Sequence, residues 1–439
     1  MSNKIRIKRG LDIPLAGSAQ SRTENISASL VGIVPDDFPG YKWKAVVKPG
    51  DRVKSGSALL ISKETEDIRL VSPVSGTVRE IRRGERRKIE FVSVESDEKN
   101  ESEAFDSKEL LLSMKRSGLY AMMRQRPFDI VPFDGVKPRD IFVTAFDTAP
   151  LAADMSEDPL LANLEAGLKA LSALTDGKVY LSVPCGSKLN SKYAEVYEFE
   201  GPHPAGLVGT QIAAIRPVNK GEVVWTLDAV TVSRIGILAQ TGKPDYTARV
   251  AVTGPCVKDP HIVATTIGAD MATILKGNIE QTEGKVRIIS GNVLTGVHIE
   301  GEEGFLRFPY RQITIIPEGD EADEFMGWAS INPKKYSVKH SFPAFLRGLS
   351  KPFDFDARIK GGHRAMILSG EYDKVFPMDI YPEYLLKAIM AGDIERMEQL
   401  GIYEVAPEDF ALAEFVDTSK IELQKIVREG LDYLRNETL

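Results

Sequence analysis

Apolar and polar positions alternate with a period of two through VVKPGDRVKSGSALLI (46–61) and again through SPVSGTVREI (72–81). A period of two sends side chains to opposite faces of a strand, and Pro49-Gly50-Asp51 and Ser75-Gly76 interrupt the runs, so each segment reads as a strand hairpin. Further on the pattern changes. RDIFVTAFDT (139–148) is a continuous apolar run with the length and β-branched content of a buried parallel strand, and KVYLSV (178–183) is a second, shorter one. Between them, EDPLLANLEAGLKALSAL sets Leu160, Leu164, Leu168 and Leu171 on one helical stripe. Strand, amphipathic helix, strand at this spacing predicts a βαβ unit in a parallel sheet. Upstream, KELLLSMKRSGLYAMM (108–123) puts Leu110, Leu111, Met114 and Leu119 loosely on one helical face. Near the C-terminus, YLLKAIMAGDIERMEQLGI and IELQKIVREGLDYLRNE are amphipathic helices, the last with Leu423, Val427, Leu431 and Leu434 on one face.

Composition changes this picture in scale rather than kind. A chain of 439 residues is too long for one ordinary core, so several compact units are expected. With 43% hydrophobic and 27% charged residues it reads as soluble and globular. No window supplies the roughly 18 consecutive apolar residues of a membrane span, and MSNKIRIKRGLDIPL has no apolar stretch of a secretory signal. The net charge of −7 argues against a nucleic-acid partner. Only RRGERRK (82–88) is locally basic, either a solvated hairpin end or a contact for anionic lipid head groups or an acidic partner.

Candidate chemistry is sparse. Cys185 and Cys256 are the only cysteines and have no C-x-x-C spacing, so this chain alone cannot build an iron–sulfur cluster or a thiolate zinc site. Each is expected to be a buried structural thiol. His203, His261, His298, His340 and His363 are scattered, without a metal-ligand pair at helical spacing. The βαβ pattern indicates a Rossmann-like layer, yet neither G-x-G-x-x-G nor G-x-x-x-x-G-K-[ST] follows its strands. A pyrophosphate needs backbone N–H groups exposed by such glycines, so no dinucleotide site is expected.

GDRVKSGSAL (50–59) followed by PVSGTV (73–78) resembles the paired halves of a biotinyl/lipoyl-like barrel. A carrier of that type places a modifiable lysine at the tip between the halves. Here the tip reads SKETEDIRL, and Lys63 before Glu64 lacks the D-K-A or M-K-M context, so the barrel is expected to be structural or a docking surface.

GLDIPLAG, RQRPFDIVP, FVTAFDTAPLAA, FEGPHPAGLVGT, SGNVLTG and FMGWA occur in this order along nearly the whole chain. Together they resemble the A subunits of the sodium-translocating NADH:quinone oxidoreductase, the NqrA family, which is related to the flavin subunit of complex I and the C subunit of the Rnf complex. The resemblance implies a multidomain α/β protein. Its expected parts are an N-terminal segment (1–38), the biotinyl/lipoyl-like barrel (39–100), a Rossmann-like domain with a degenerate flavin loop (101–253), a β-grasp module (254–330) and a mostly helical C-terminal region (331–439). In the relatives the stretch matching SGLYAMMRQRPF (117–128) is a glycine-rich loop beside the flavin phosphate. Here Tyr120, Met122, Met123, Arg124 and Gln125 replace most of the glycines, and their side chains are expected to fill the flavin's space. PEDFALAEFVDTSK (407–420) has Ala413 and Asp417 where relatives keep cysteines.

The family further implies a peripheral subunit on the cytoplasmic side of the bacterial inner membrane. Its partners are the other five subunits of a pump that oxidises NADH, reduces ubiquinone and exports sodium ions; those subunits carry FAD, FMN and iron–sulfur centres. This chain is expected to bind no cofactor of its own and to hold no catalytic residue. A quinone needs an apolar slot and one or two hydrogen-bond donors, which Tyr120, Arg124, Arg126 and Phe128 would supply. Set against that, the arginines would pair with acidic neighbours while Met122 and Met123 plug the old cavity. A pure docking scaffold shares every feature but the ligand.

Overall fold

Along the strand Asp140–Thr144 the side chains alternate between two cores. Ile141 and Val143 join the largest apolar cluster with Leu168, Leu171, Val232 and Ile235, whereas Phe142 faces Tyr180, Ile212 and Val224 on the opposite side. A strand buried on both faces needs the continuous apolar run that its sequence displays. In the computed structural model, which describes residues 3–280, 284–300, 304–320, 335–338 and 351–438, this strand is central to a six-stranded sheet. Its order is Asn3–Arg6, Glu195–Glu200, Val179–Pro184, Asp140–Thr144, Val224–Asp228, Arg124–Arg126. All neighbours are parallel except the last pair, in which Arg124–Arg126 runs antiparallel to Val224–Asp228.

Two helices, Leu164–Ser172 and Ala229–Thr241, cover one face and touch backbone to backbone. A Cβ on Gly167 would sit 2.0 Å from the carbonyl oxygen of Val232, so only glycine permits this crossing. Gly167→Ala is expected to destabilise by about 1–3 kcal/mol through overpacking, read as a lowered denaturant midpoint with an unchanged slope. The second helix is capped at its start by Asp228, whose carboxylate accepts from the backbone of Val230 (2.9 Å) and Thr231 (3.0 Å), and ends in left-handed Gly242. The leucine stripe is shorter than its spacing predicts. Pro159–Asn163 is a 3-10 turn behind the Asp158 cap, and Leu160 is only half-buried. Upstream, Leu110–Arg116 buries Met114, but Leu111 is 37% exposed.

The first two hairpins expected from alternation are not hairpins. Trp43–Ala45 pairs with Ala58–Ser62, and Arg69–Val71 completes that three-stranded sheet. Arg52–Val53 instead pairs with Gly76–Arg83 in a four-stranded sheet with Ile89–Ser96 and Leu30–Ile33. At each predicted turn the chain therefore crosses from one sheet to the other, enclosing Leu59, Leu60, Ile68, Val78, Val92 and Val94. Period-two patterning reports which face is buried, not which strand is the partner. RRGERRK does form a hairpin end, between Gly76–Arg83 and Ile89–Ser96.

A third sheet, also six-stranded, is mixed: Val297–Ile299, Val286–Ser290, Gln312–Pro317, Thr247–Thr253, His261–Thr266, Gln20–Asn25. Residues 1–38, read from the sequence as one segment, thus contribute Asn3–Arg6, Gln20–Asn25 and Leu30–Ile33 to three different sheets. The C-terminal region is helical, with Pro382–Met390, Ile394–Gln399, Ala411–Val416 and Leu423–Thr438 around their own core. Leu423, Val427, Leu431 and Leu434 are all fully buried. Cys256 is buried as expected, but Cys185 is exposed, just beyond the strand Val179–Pro184. The FMGWA phrase and His340 lie outside the described residues.

Candidate functional site

The stretch from Ser117 to Phe133 links the helix Leu110–Arg116, the edge strand Arg124–Arg126 and the C-terminal helices. Gly118, at φ 79°, releases the chain from the helix, and Tyr120–Met122 makes one 3-10 turn. Tyr120, Ala121, Met122 and Met123 are all buried. The Tyr120 hydroxyl donates to the carbonyl of Phe133 (3.1 Å), and its ring stands edge-on to Trp225. Beyond the edge strand the chain reverses tightly: Gln125 N–H donates to Ile130 O (2.7 Å), with Phe128 and Asp129 at positive φ. Arg428 of the last helix holds that reversal, donating to the carbonyls of Phe128 (2.7 Å) and Asp129 (3.3 Å).

The two arginines point to different neighbours. Arg126 is fully buried and donates to Asp409 (2.7 Å), Glu408 (3.1 Å) and the carbonyl of Glu404 (3.2 Å). Burial opposes its charge, but Asp409, Glu408 and Asp129 outweigh burial and raise its pKa. Asp409 also accepts from Ala406 N–H (2.8 Å), which ties the pair to the turn before Ala411–Val416. Glu408 keeps partial exposure, and its pKa is raised by burial and by the nearby carboxylates of Asp409, Asp129 and Asp147, with Arg126 opposing. Among the described residues Arg124 makes no such ion pair. It donates to the carbonyls of Ala121 (3.1 Å), Met123 (3.1 Å) and Asp37 (2.5 Å), and its guanidinium lies 5.5 Å from the Phe308 ring centre. Burial lowers its pKa against the pull of Asp129 and Asp37.

The four residues singled out by the sequence do not surround one slot. Tyr120 belongs to the large core, Phe128 to the core of the C-terminal helices, Arg126 to the acids beside that core, and Arg124 to the Asp37–Phe308 side. None of them lines the groove of about 540 Å³ or the crevice of about 30 Å³ that occur elsewhere in the molecule. Asp37, Glu408, Asp409 and Arg428 were missed. Their separations of 87, 282, 283 and 300 residues from their partners leave no local signal. Asp417 accepts from the Tyr372 hydroxyl (2.9 Å) and from Ile421 N–H (2.9 Å). Among the described residues, no group of three His, Cys, Asp or Glu is placed to hold a metal ion.

Comparison with known proteins bears on this arrangement. Residues 5–97 match the NqrA N-terminal barrel-sandwich hybrid domain, 105–244 the NqrA second alpha/beta domain and 249–301 the NQRA C-terminal domain. The A subunit of the Na(+)-translocating NADH-quinone reductase from Hahella chejuensis is 36% identical, the match covering 99% of this chain and all of the relative. The chain belongs to this family, NqrA. The corresponding protein of Vibrio anguillarum is 37% identical over 99% of this chain and 100% of its own length. Among solved structures, an NAD+-reducing [NiFe]-hydrogenase in the air-oxidized state is 12% identical, covering 69% of this chain and 55% of that chain, at a TM-score of 0.32 that carries no argument. Membership makes this chain one subunit of a sodium-translocating NADH-quinone reductase. Among its described residues no helix is long and apolar enough to cross a membrane.

Proposed function

We propose that this chain is a peripheral subunit without a redox cofactor of its own, whose part is to hold the redox subunits of the sodium pump together. The observation that carries this reading is the occupied loop. Where the flavin-carrying relatives need open backbone, Tyr120, Met122 and Met123 are packed inside, and Arg126 is bound to Asp409 and Glu408. A buried arginine whose two terminal nitrogens are already engaged by Asp409, Glu408 and the Glu404 carbonyl fixes the edge strand against the C-terminal helices and leaves neither of those nitrogens for a ligand. Within this reading the mainly parallel sheet is a Rossmann-like layer, the third sheet a β-grasp module, and the units divide at about residues 38, 100, 253 and 330. The same reading takes as its partners five further subunits that carry FAD, FMN and iron–sulfur centres, and places the chain on the cytoplasmic side of the inner membrane.

One observation favours a second reading, direct contact with ubiquinone. Arg124 is only partly buried, donates to carbonyls rather than to a carboxylate, and lies over Phe308, so its guanidinium and that ring could meet a quinone carbonyl and its plane. Tyr120, Arg126 and Phe128 would then act from behind it as packing.

The test is assembly. A complex expressed without this chain is expected to lose the co-purification of its remaining subunits and with it NADH-driven quinone reduction. Recovery of an intact, fully active complex without it would overturn the proposal.

A further inference from the structure

A groove of about 540 Å³ lies at the end of the barrel and belongs to neither reading above. Its wall is the hairpin end 83–89, and Lys63, at the tip where a carrier domain would hold its modified lysine, also lines it. Lys42, Lys63, Arg86 and Arg87 are exposed and have no acidic partner among the described residues. Two other cations there are only lightly compensated, Lys88 by Asp36 (2.6 Å) and Lys44 by Glu66 (3.4 Å). A chain with 63 acidic against 56 basic residues has carboxylates available, yet among the described residues Asp36 is the one acid lining this groove. Like charges held together without partners repel one another, so their arrangement calls for an anion.

The groove also has aromatic surface. Trp43 and Tyr41 lie 6.0 Å apart, centre to centre, and their polar atoms are engaged inside the fold: Trp43 Nε1 donates to Phe38 O (3.1 Å) and the Tyr41 hydroxyl to Pro132 O (2.9 Å). What they offer the groove is ring. Arginine forks match phosphate oxygens, and tryptophan and tyrosine rings sit well at the level of lipid head groups. An acidic peptide would use the cations but has less call on the rings. We propose that this groove binds the phosphate head group of an anionic phospholipid, so that the barrel end rests on the membrane surface beside the pump. The proposal uses the membrane-side position given above, but it is tested without the other subunits, so its failure leaves the assembly experiment untouched.

The experiment is co-sedimentation of the full chain with vesicles of phosphatidylcholine alone and of phosphatidylcholine containing phosphatidylglycerol. Binding is expected only to the anionic vesicles and is expected to fall with added salt. Arg86→Ala with Arg87→Ala should weaken it about 25-fold, whereas neutralising exposed Lys188 and Lys243, away from the groove, should leave it nearly unchanged. Equal binding to both vesicle types, or anionic binding that the arginine pair does not alter, would overturn the proposal. So would pyrophosphate or polyglutamate binding at the groove without vesicle binding, since either would assign the groove to a soluble anion.

Discussion

Arg126→Ala is expected to destabilise the chain by about 3–5 kcal/mol, the cost of leaving a buried charge without its partner. The arginine is fully buried, and the Asp409 carboxylate it meets at 2.7 Å is 2% exposed. Removing the guanidinium leaves Asp409 and Glu408 facing each other with no cation, and one of them must take up a proton or the C-terminal helices must move away. Calorimetry should place the loss in the transition that unfolds the C-terminal helices, with a drop in midpoint of about 10 °C or more. Arg126→Lys keeps the charge but not the fork that reaches Asp409, Glu408 and the Glu404 carbonyl together, so it should recover only part of the loss. Arg126→Met combined with Asp409→Leu removes both charges and should be more stable than Arg126→Ala alone. A midpoint unchanged by Arg126→Ala would mean that the pair adds nothing to the join between sheet and helices.

The second large effect is a loss of stability in mild acid, centred on His203. This histidine lies in the FEGPHPAG phrase, is 2% exposed, and meets Thr148 Oγ1 through Nδ1 (3.1 Å). Among the described residues its Nε2 is buried without a hydrogen-bond partner, so an imidazolium there would bury a proton donor with none of them to receive it. Burial lowers its pKa from 6.5 to about 4. The folded state therefore prefers the neutral ring. Stability from this group is fully present above pH 6.5 and is lost as the pH falls toward 4, about 3 kcal/mol in all. Comparing wild type with His203→Gln by denaturant titration at several pH values isolates the effect from the carboxylates that titrate in the same range. The difference between the two should change across that window; a pH-independent difference would contradict the assignment.

How much of this was legible in the sequence depends on the distance over which the information acts. The burial of Tyr120, Met122 and Met123 could be read directly, because a run of large, mainly apolar side chains following a short helix has to pack inside. The last helix was equally plain, since a 3.6-residue stripe needs no partner to be recognised, and its four apolar positions are fully buried. Strand pairing was not. The barrel segments alternate as strands should, but alternation does not say that Arg52–Val53 and Trp43–Ala45 belong to different sheets. Leu111 satisfied a helical pattern and still faces outward, because a helix of seven residues buries only one narrow side. Nor could the sequence say that Arg124 and Arg126, two residues apart on one short strand, would be bound to Asp37 on one side and Asp409 on the other. Spacing brought the four site residues together on paper, and tertiary contacts separated them.

The central claim, that the loop at 117–128 is closed to a ligand and the chain acts by docking, is tested most directly by titrating the purified chain with a water-soluble short-chain ubiquinone in a calorimeter. No saturable heat is the predicted result. Saturable binding that Arg124→Ala abolishes, with the fold intact, would contradict the account and move the quinone from the partner subunits to this one.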